Sequence, residues 1–165
     1  MIPYDGTPIK DELARSNRLT GDICHPDYNF LDPRSDRFFH ALNRMVHVSG
    51  WIYGIGSLTV QLQHIKAELA VMRALFPPLP GLDVYSATVR CITRSANETL
   101  FHLVDDVLRE YRDGRSHRWT PLAVKNVCVG LQKELLNERN SFVGDNQRIL
   151  LHALGLGAPA EHSSV

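Results

Sequence analysis

The residues best suited to bind an anion lie between Arg109 and Trp119. This stretch contains four arginines and a histidine, Arg109, Arg112, Arg115, Arg118 and His117, against only two carboxylates. Arginine binds phosphate through a planar fork of N–H donors, and a tryptophan ring can stack on a nucleotide base. The stretch therefore indicates a candidate RNA or phosphate contact. The competing interpretation is a solvated interhelical loop whose tryptophan packs against the helices.

A second basic position, Arg139-Asn140, stands near the end of an apolar helical pattern and before the break at Gly144-Asp145. An arginine in such a turn can hold an RNA phosphate, or it can simply belong to a helix end. Gly144 is expected to end one helix and Asp145 to cap the next. This capping pattern favours the helix end, and Arg139 and Asn140 stay candidate RNA contacts.

Histidines and carboxylates at helical spacing raise the question of a metal site. Glu98, His102 and Asp106 are four residues apart, but they lie off the apolar stripe of their helix, where weak ion pairs on a solvated face are expected. The chain lacks the Glu-x-x-His pattern of helical-bundle metal sites and any glycine-rich phosphate loop. We therefore predict no metal and no cofactor.

Three glycines, Gly50, Gly54 and Gly56, interrupt a helical pattern that otherwise runs from residue 38 to residue 76. A glycine inside a helix costs about 1 kcal/mol relative to alanine. Either the helix is broken near Gly54, or the glycines let another backbone approach closely. Close helix packing is their simplest role, and an apolar patch exposed beside them is where we expect a protein partner to bind.

Composition and charge describe an ordinary globular protein. The chain has 165 residues, of which 44% are hydrophobic, and its 18 basic and 18 acidic residues cancel. Such a chain can bury a core, and its net charge does not draw it to nucleic acid or to an anionic membrane. We expect no leader peptide and no membrane span. Three scattered cysteines without a CxxC pair indicate a reducing compartment, the cytoplasm.

The periodicity of apolar residues predicts an all-α fold, an antiparallel bundle of about four main helices. Residues 1–34 are rich in turn-forming residues and are expected to form an extended arm, residues 35–155 the bundle, and residues 156–165 a disordered tail. Asp32-Pro33 and Thr120-Pro121 are typical helix starts, with a capping side chain before a proline in the first turn. No strand pattern is evident.

The chain resembles HEPN-domain proteins, helical bundles that often carry an R-x4-6-H motif with Asn, Asp or His after the arginine. Arg139-Asn140 is similar to the start of this motif, but Gly144 stands where the histidine is needed. Arg112-Asp113-Gly114-Arg115-Ser116-His117 matches the motif in full. The resemblance implies a dimer in which the arginine stabilises phosphate charge and the histidine transfers protons, without a metal.

Two functions follow as hypotheses. The first is a cytosolic helical interaction or scaffold protein, a homodimer, which could be a catalytically degenerate HEPN-like protein. The alternative is a metal-independent RNA endonuclease, in which Arg112 holds the phosphate and His117 is the acid and base. The partner is a second copy of the chain, another protein or RNA, and membranes are not expected to take part.

Overall fold

A computed structural model describes residues 7–22, 26–52, 54–113 and 119–156. Its helices are α1 (Pro8–Arg15), α2 (Pro33–Val48), α3 (Leu58–Leu75), α4 (Leu82–Asp113), α5 (Pro121–Asp145) and α6 (Gln147–Ala153). Two three-residue strands, β1 (Leu19–Gly21) and β2 (Pro26–Tyr28), pair antiparallel with Leu19 opposite Tyr28. The predicted all-α class is confirmed in its main feature. The hairpin was not predicted, because strands this short show no alternating pattern.

Contacts between Cα atoms divide the chain into two compact units. The first contains residues 1–44 and 104–118, and the second contains residues 45–103 and 119–165. The proposed arm over residues 1–34 and the bundle over residues 35–155 stay predictions. Most of the predicted tail, from residue 157 onward, lies outside the described residues.

Local signals account for the starts of the long helices. The Asp32 carboxylate accepts a hydrogen bond from the Arg34 backbone N–H at 2.9 Å, and the pKa of Asp32 is lowered chiefly by this bond. The Thr120 hydroxyl accepts from the Ala123 N–H at 3.1 Å. These caps satisfy donors that a first helical turn leaves unpaired. The predicted starts at Pro33 and Pro121 are confirmed.

The core of the second unit comes from one face of each of α3, α4 and α5. On α5 the buried side chains follow intervals of three, four and seven residues: Val124, Cys128, Leu131, Leu135 and Phe142. Glu138 is exposed, so the inner face continues to Phe142. Cys128 is buried as a small apolar residue, whereas Cys91 is exposed on α4.

The junction between α5 and α6 differs from the prediction. Helix α5 passes through Gly144 and ends at Asp145, and Asn146 stands between the two helices without capping α6 through its side chain. The Asn146 side-chain amide instead donates to the carbonyl oxygens of Phe142 at 3.0 Å and Pro80 at 3.1 Å. The prediction that Asp145 caps the last helix is therefore wrong. The position needs the side-chain amide of Asn146 as a donor to the carbonyl of Pro80, which is distant in the sequence.

Candidate functional site

Arg112 lies in the last turn of α4, in the first unit, and its guanidinium is already engaged. Its Nε donates to Asp113 Oδ1 at 2.8 Å and its Nη2 to Asp113 Oδ2 at 3.0 Å. This bidentate bond is the main reason that the pKa of Arg112 is raised. A phosphate at Arg112 would have to displace a carboxylate. His117, Arg115 and Arg118 lie outside the described residues, so the RNA endonuclease stays a prediction.

The other candidates of this stretch also have partners within the protein. Arg109 forms an ion pair with Asp105 one turn earlier on α4, with 2.5 Å between Nη2 and Oδ2. Trp119 is only 8% exposed. A ring covered in this way is not available to stack on a base, which agrees with the interpretation that Trp119 packs against the helices.

Arg139 crosslinks two helices of the second unit. Its Nε donates to Glu68 Oε2 at 2.8 Å and its Nη2 to Glu68 Oε1 at 2.6 Å, which ties α5 to α3. Hydrogen bonding to Glu68 is the largest cause of the raised pKa of Arg139. The fork that would bind phosphate is thus occupied by a carboxylate. Asn140, the next residue, is exposed on α5.

Tyr85 of α4 is buried near this ion pair. Its ring stacks on that of Phe142, with 4.6 Å between the centroids and 11° between the planes. Its hydroxyl has no hydrogen-bond partner in the part of the chain that the structure describes. Burial, and secondarily the negative charge of Glu68, raise the pKa of Tyr85 to about 12 from 10.0.

Replacing Tyr85 with phenylalanine should make the protein more resistant to alkali. In the wild type, the folded state stabilises the neutral Tyr85 side chain relative to its phenolate. Its contribution to stability is complete below pH 10 and is lost as the pH rises toward 12. The variant has no phenol to ionise and does not lose this stability. The difference in free energy of unfolding between the variant and the wild type should therefore shift by about 1 kcal/mol in favour of the variant between neutral pH and pH 11. Urea unfolding across this pH range measures it, and parallel pH profiles would contradict it.

The three glycines lie in a segment between α2 and α3, which we call the glycine turn (residues 49–52 and 54–57). The break near Gly54 is the correct alternative. Gly50 and Gly54 have φ of +74° and +93°, a left-handed region that side chains rarely adopt. A Cβ at any of the three would meet no heavy atom within 4 Å. Close helix packing is therefore not their role. The backbone conformation of the turn requires glycine at positions 50 and 54, whereas nothing in the structure requires it at Gly56.

Hydrogen bonds from α3 and α5 hold the glycine turn in place. The carbonyl of Gly50 accepts from the backbone N–H of Leu58 at 3.0 Å and from the Cys128 thiol at 3.5 Å. The carbonyl of Gly56 accepts from the Gln132 side-chain amide at 2.8 Å. These bonds tie the turn to α3 at Gly50 and to α5 at both Gly50 and Gly56.

Apolar side chains are exposed where the sequence predicts a partner surface. Ile55 lies between two of the glycines and is 89% exposed, and Ile52 and Val48 are exposed beside it. On α5, Leu122, Val129 and Leu136 are exposed at intervals of seven residues, opposite the buried stripe. We call these three residues the α5 outer face. The sequence reasoning missed them, although their interval was visible.

The described residues contain no group of three or more His, Cys, Asp or Glu side chains that could hold a metal ion. No described helix is both long and apolar enough to cross a membrane. The chain matches no protein-family model, no curated protein and no solved structure. The resemblance to HEPN-domain proteins therefore stays a prediction.

Proposed function

We propose that the protein is a helical interaction protein that forms a homodimer through the glycine turn and the α5 outer face. The observation that carries this proposal is the exposure of Ile55 at the tip of a turn fixed by Gln132 and Cys128. Covering an exposed apolar side chain in an interface removes its apolar surface from water and favours association. Contiguous exposed apolar surface on a soluble protein commonly marks an interface.

The two surfaces border each other within the second unit. Gln132 of α5 donates to the carbonyl of Gly56, and it stands between Val129 and Leu136 in the sequence of the α5 outer face. This bond supports the proposal that the turn and the exposed stripe form one surface, on which Ile55 would contact a helix lying along α5.

A second copy of the chain suits this surface by symmetry and by charge. Val129 is seven residues from both Leu122 and Leu136, so the stripe has the same spacing in either direction. An antiparallel copy would place Leu122 beside Leu136 of the other copy, as a two-fold interface requires. The net charge of zero removes long-range repulsion between copies.

The apolar side chains alone are few compared with the roughly 800 Å² per partner that a stable interface buries. We therefore propose a dimer that dissociates on dilution. The exposed thiol of Cys91 is compatible with the reducing cytosol as the compartment. A catalytically degenerate HEPN-like protein would have these properties, since Arg139 is engaged by Glu68 and Gly144 replaces the motif histidine.

Replacing Ile55 with aspartate should abolish self-association. A carboxylate at the tip of the turn would have to lose its hydration on contact with the other copy. Sedimentation velocity over a wide range of concentrations should show a monomer–dimer equilibrium for the wild type and a monomer for Ile55→Asp. Val129→Asp should have the same effect, because it places a charge at the centre of the stripe.

Val84→Asp is the matched control, since Val84 is an exposed apolar residue of α4 that belongs to neither proposed surface, with an exposure between those of Val129 and Ile55. It should dimerise as the wild type does. A wild-type chain that is monomeric at every concentration would overturn the homodimer. If Val84→Asp weakens the dimer as much as Ile55→Asp does, the interface lies elsewhere.

A further inference from the structure

A groove between α3 and α4, in the second unit, gathers cationic side chains around an exposed aromatic ring. Its volume is about 350 Å³, and it is lined by Lys66 of α3 and by Arg90, Arg94, Asn97, Glu98 and Phe101 of α4. On α4 the intervals from Arg90 to Phe101 are four, three and four residues, so Arg90, Arg94, Asn97 and Phe101 share one helix face. We call this site the α3–α4 groove.

The cations of this groove have no carboxylate partner within the described residues. Carboxylates pair with five other arginines, Arg34, Arg73, Arg109, Arg112 and Arg139. No such ion pair engages Lys66, Arg90 or Arg94, although Glu98 is one turn from Arg94. Three cations and one carboxylate line the groove, and the excess of positive charge attracts an anion.

Phe101 supplies the second observation. Its side chain is 74% exposed, although it belongs to the middle of a 32-residue helix and lines the same groove as the cations. A phenylalanine ring in water contributes nothing to the core of its own protein. Beside positive charges, such a ring offers a flat surface on which a base can stack.

We propose that the α3–α4 groove binds single-stranded nucleic acid, with its phosphates on Lys66, Arg90 and Arg94 and one base stacked on Phe101. Arg90 and Arg94 are separated by one helical turn, a rise of about 6 Å, which suits neighbouring phosphates. A duplex keeps its bases stacked on one another, so it cannot use Phe101. An acidic peptide could contact the cations but has no base to place on the ring.

Substitution of Glu98 gives the most informative variant, because the proposal predicts that it raises the affinity for an anionic ligand. Among the residues that the structure describes, Glu98 is the only carboxylate that lines the groove, and it lies one turn from Arg94 on the side of Phe101. A bound phosphate is repelled by this charge. Glu98→Gln should therefore tighten the binding of an oligonucleotide severalfold, a gain that misfolding cannot produce, whereas it should weaken the binding of a cationic ligand.

Fluorescence anisotropy with a labelled oligoadenylate of about ten nucleotides tests the proposal with the full chain. The wild type should bind the single strand, with an affinity that falls as the salt concentration rises. Arg94→Glu and Phe101→Ala should each weaken binding about tenfold. The same sequence is also measured as single-stranded DNA and as a duplex. Equal affinity for RNA and DNA assigns the contacts to phosphate and base, and a preference for RNA adds a contact to the 2′-hydroxyl.

Two matched controls use residues outside the groove. Arg148→Glu changes the charge of an exposed arginine on α6, and Leu75→Ala shortens an apolar residue of α3 that is as exposed as Phe101. Both should bind the oligonucleotide as the wild type does. The proposal is overturned if the wild type does not bind the single strand, if the duplex binds equally well, or if Arg148→Glu matches Arg94→Glu. Because Ile55 and the α5 outer face lie outside this groove, the homodimer can fail without affecting this result.

Discussion

Replacing Trp51 with alanine should lower the free energy of unfolding by about 3–5 kcal/mol, the usual range for deleting a buried large aromatic side chain. Trp51 belongs to the glycine turn and is only 3% exposed, whereas Ile52 and Ile55 of the same turn are exposed. Its backbone carbonyl also accepts from the Thr59 hydroxyl at 2.8 Å and from the Thr59 N–H at 3.1 Å, which ties the turn to α3. The buried ring is the largest apolar side chain of the turn among the described residues, so we expect it to anchor the turn to the core.

Urea denaturation followed by circular dichroism measures this loss, and Ile52→Ala is the control. Ile52 is the next residue but is exposed, so its truncation should change stability by no more than about 0.5 kcal/mol. Trp51→Ala should also weaken the dimer proposed above, since the turn that carries Ile55 loses its buried ring. A loss of stability equal to that of Ile52→Ala would show that Trp51 does not anchor the turn.

Replacing Asn146 with aspartate should destabilise the protein by at least about 3 kcal/mol, because it leaves a buried negative charge without a partner. Asn146 is 2% exposed, and its side-chain amide donates to two carbonyl oxygens. Aspartate would replace this donor with an anionic oxygen that faces the same two oxygens. Lowering the pH should recover part of the loss, because a protonated carboxyl can donate again.

Asn140→Asp is the matched control for this variant, since it makes the same change at an exposed position of α5. Thermal unfolding should show a large decrease in midpoint for Asn146→Asp and almost none for Asn140→Asp. The account of Asn146 as a link between the α5–α6 junction and Pro80 fails if the two variants unfold together.

The helices could be predicted because their signals are local. Asp32-Pro33 and Thr120-Pro121 each place a cap and a proline within two residues, and the structure begins α2 and α5 there. The junction at Asn146 could not be predicted in this way. The side chain of Asn146 hydrogen-bonds to the carbonyl of Pro80, 66 residues earlier, and no local sequence pattern indicates that contact.

The candidate sites also differ in whether their signals are local in the sequence or depend on contacts between distant residues. The exposed patch beside Gly54 was predictable, because glycines in a broken helix mark a turn and isoleucines between them have little to pack on. The partner of Arg139 could not be predicted, because Glu68 is 71 residues away and only the packing of α3 on α5 brings the two side chains together. The α3–α4 groove likewise combines Lys66 with residues of another helix, so its charge cannot be seen in either helix alone.

The bond from Cys128 to Gly50 gives the chain an internal reporter. The Cys128 thiol is fully covered, and burial raises its pKa, whereas the Cys91 thiol is exposed on α4. An alkylating reagent should therefore modify Cys91 at once and Cys128 only when the second unit opens around the glycine turn. The ratio of the two labelling rates is a measure of the opening equilibrium under native conditions. A ligand that closes over the turn would slow the modification of Cys128 and leave that of Cys91 unchanged.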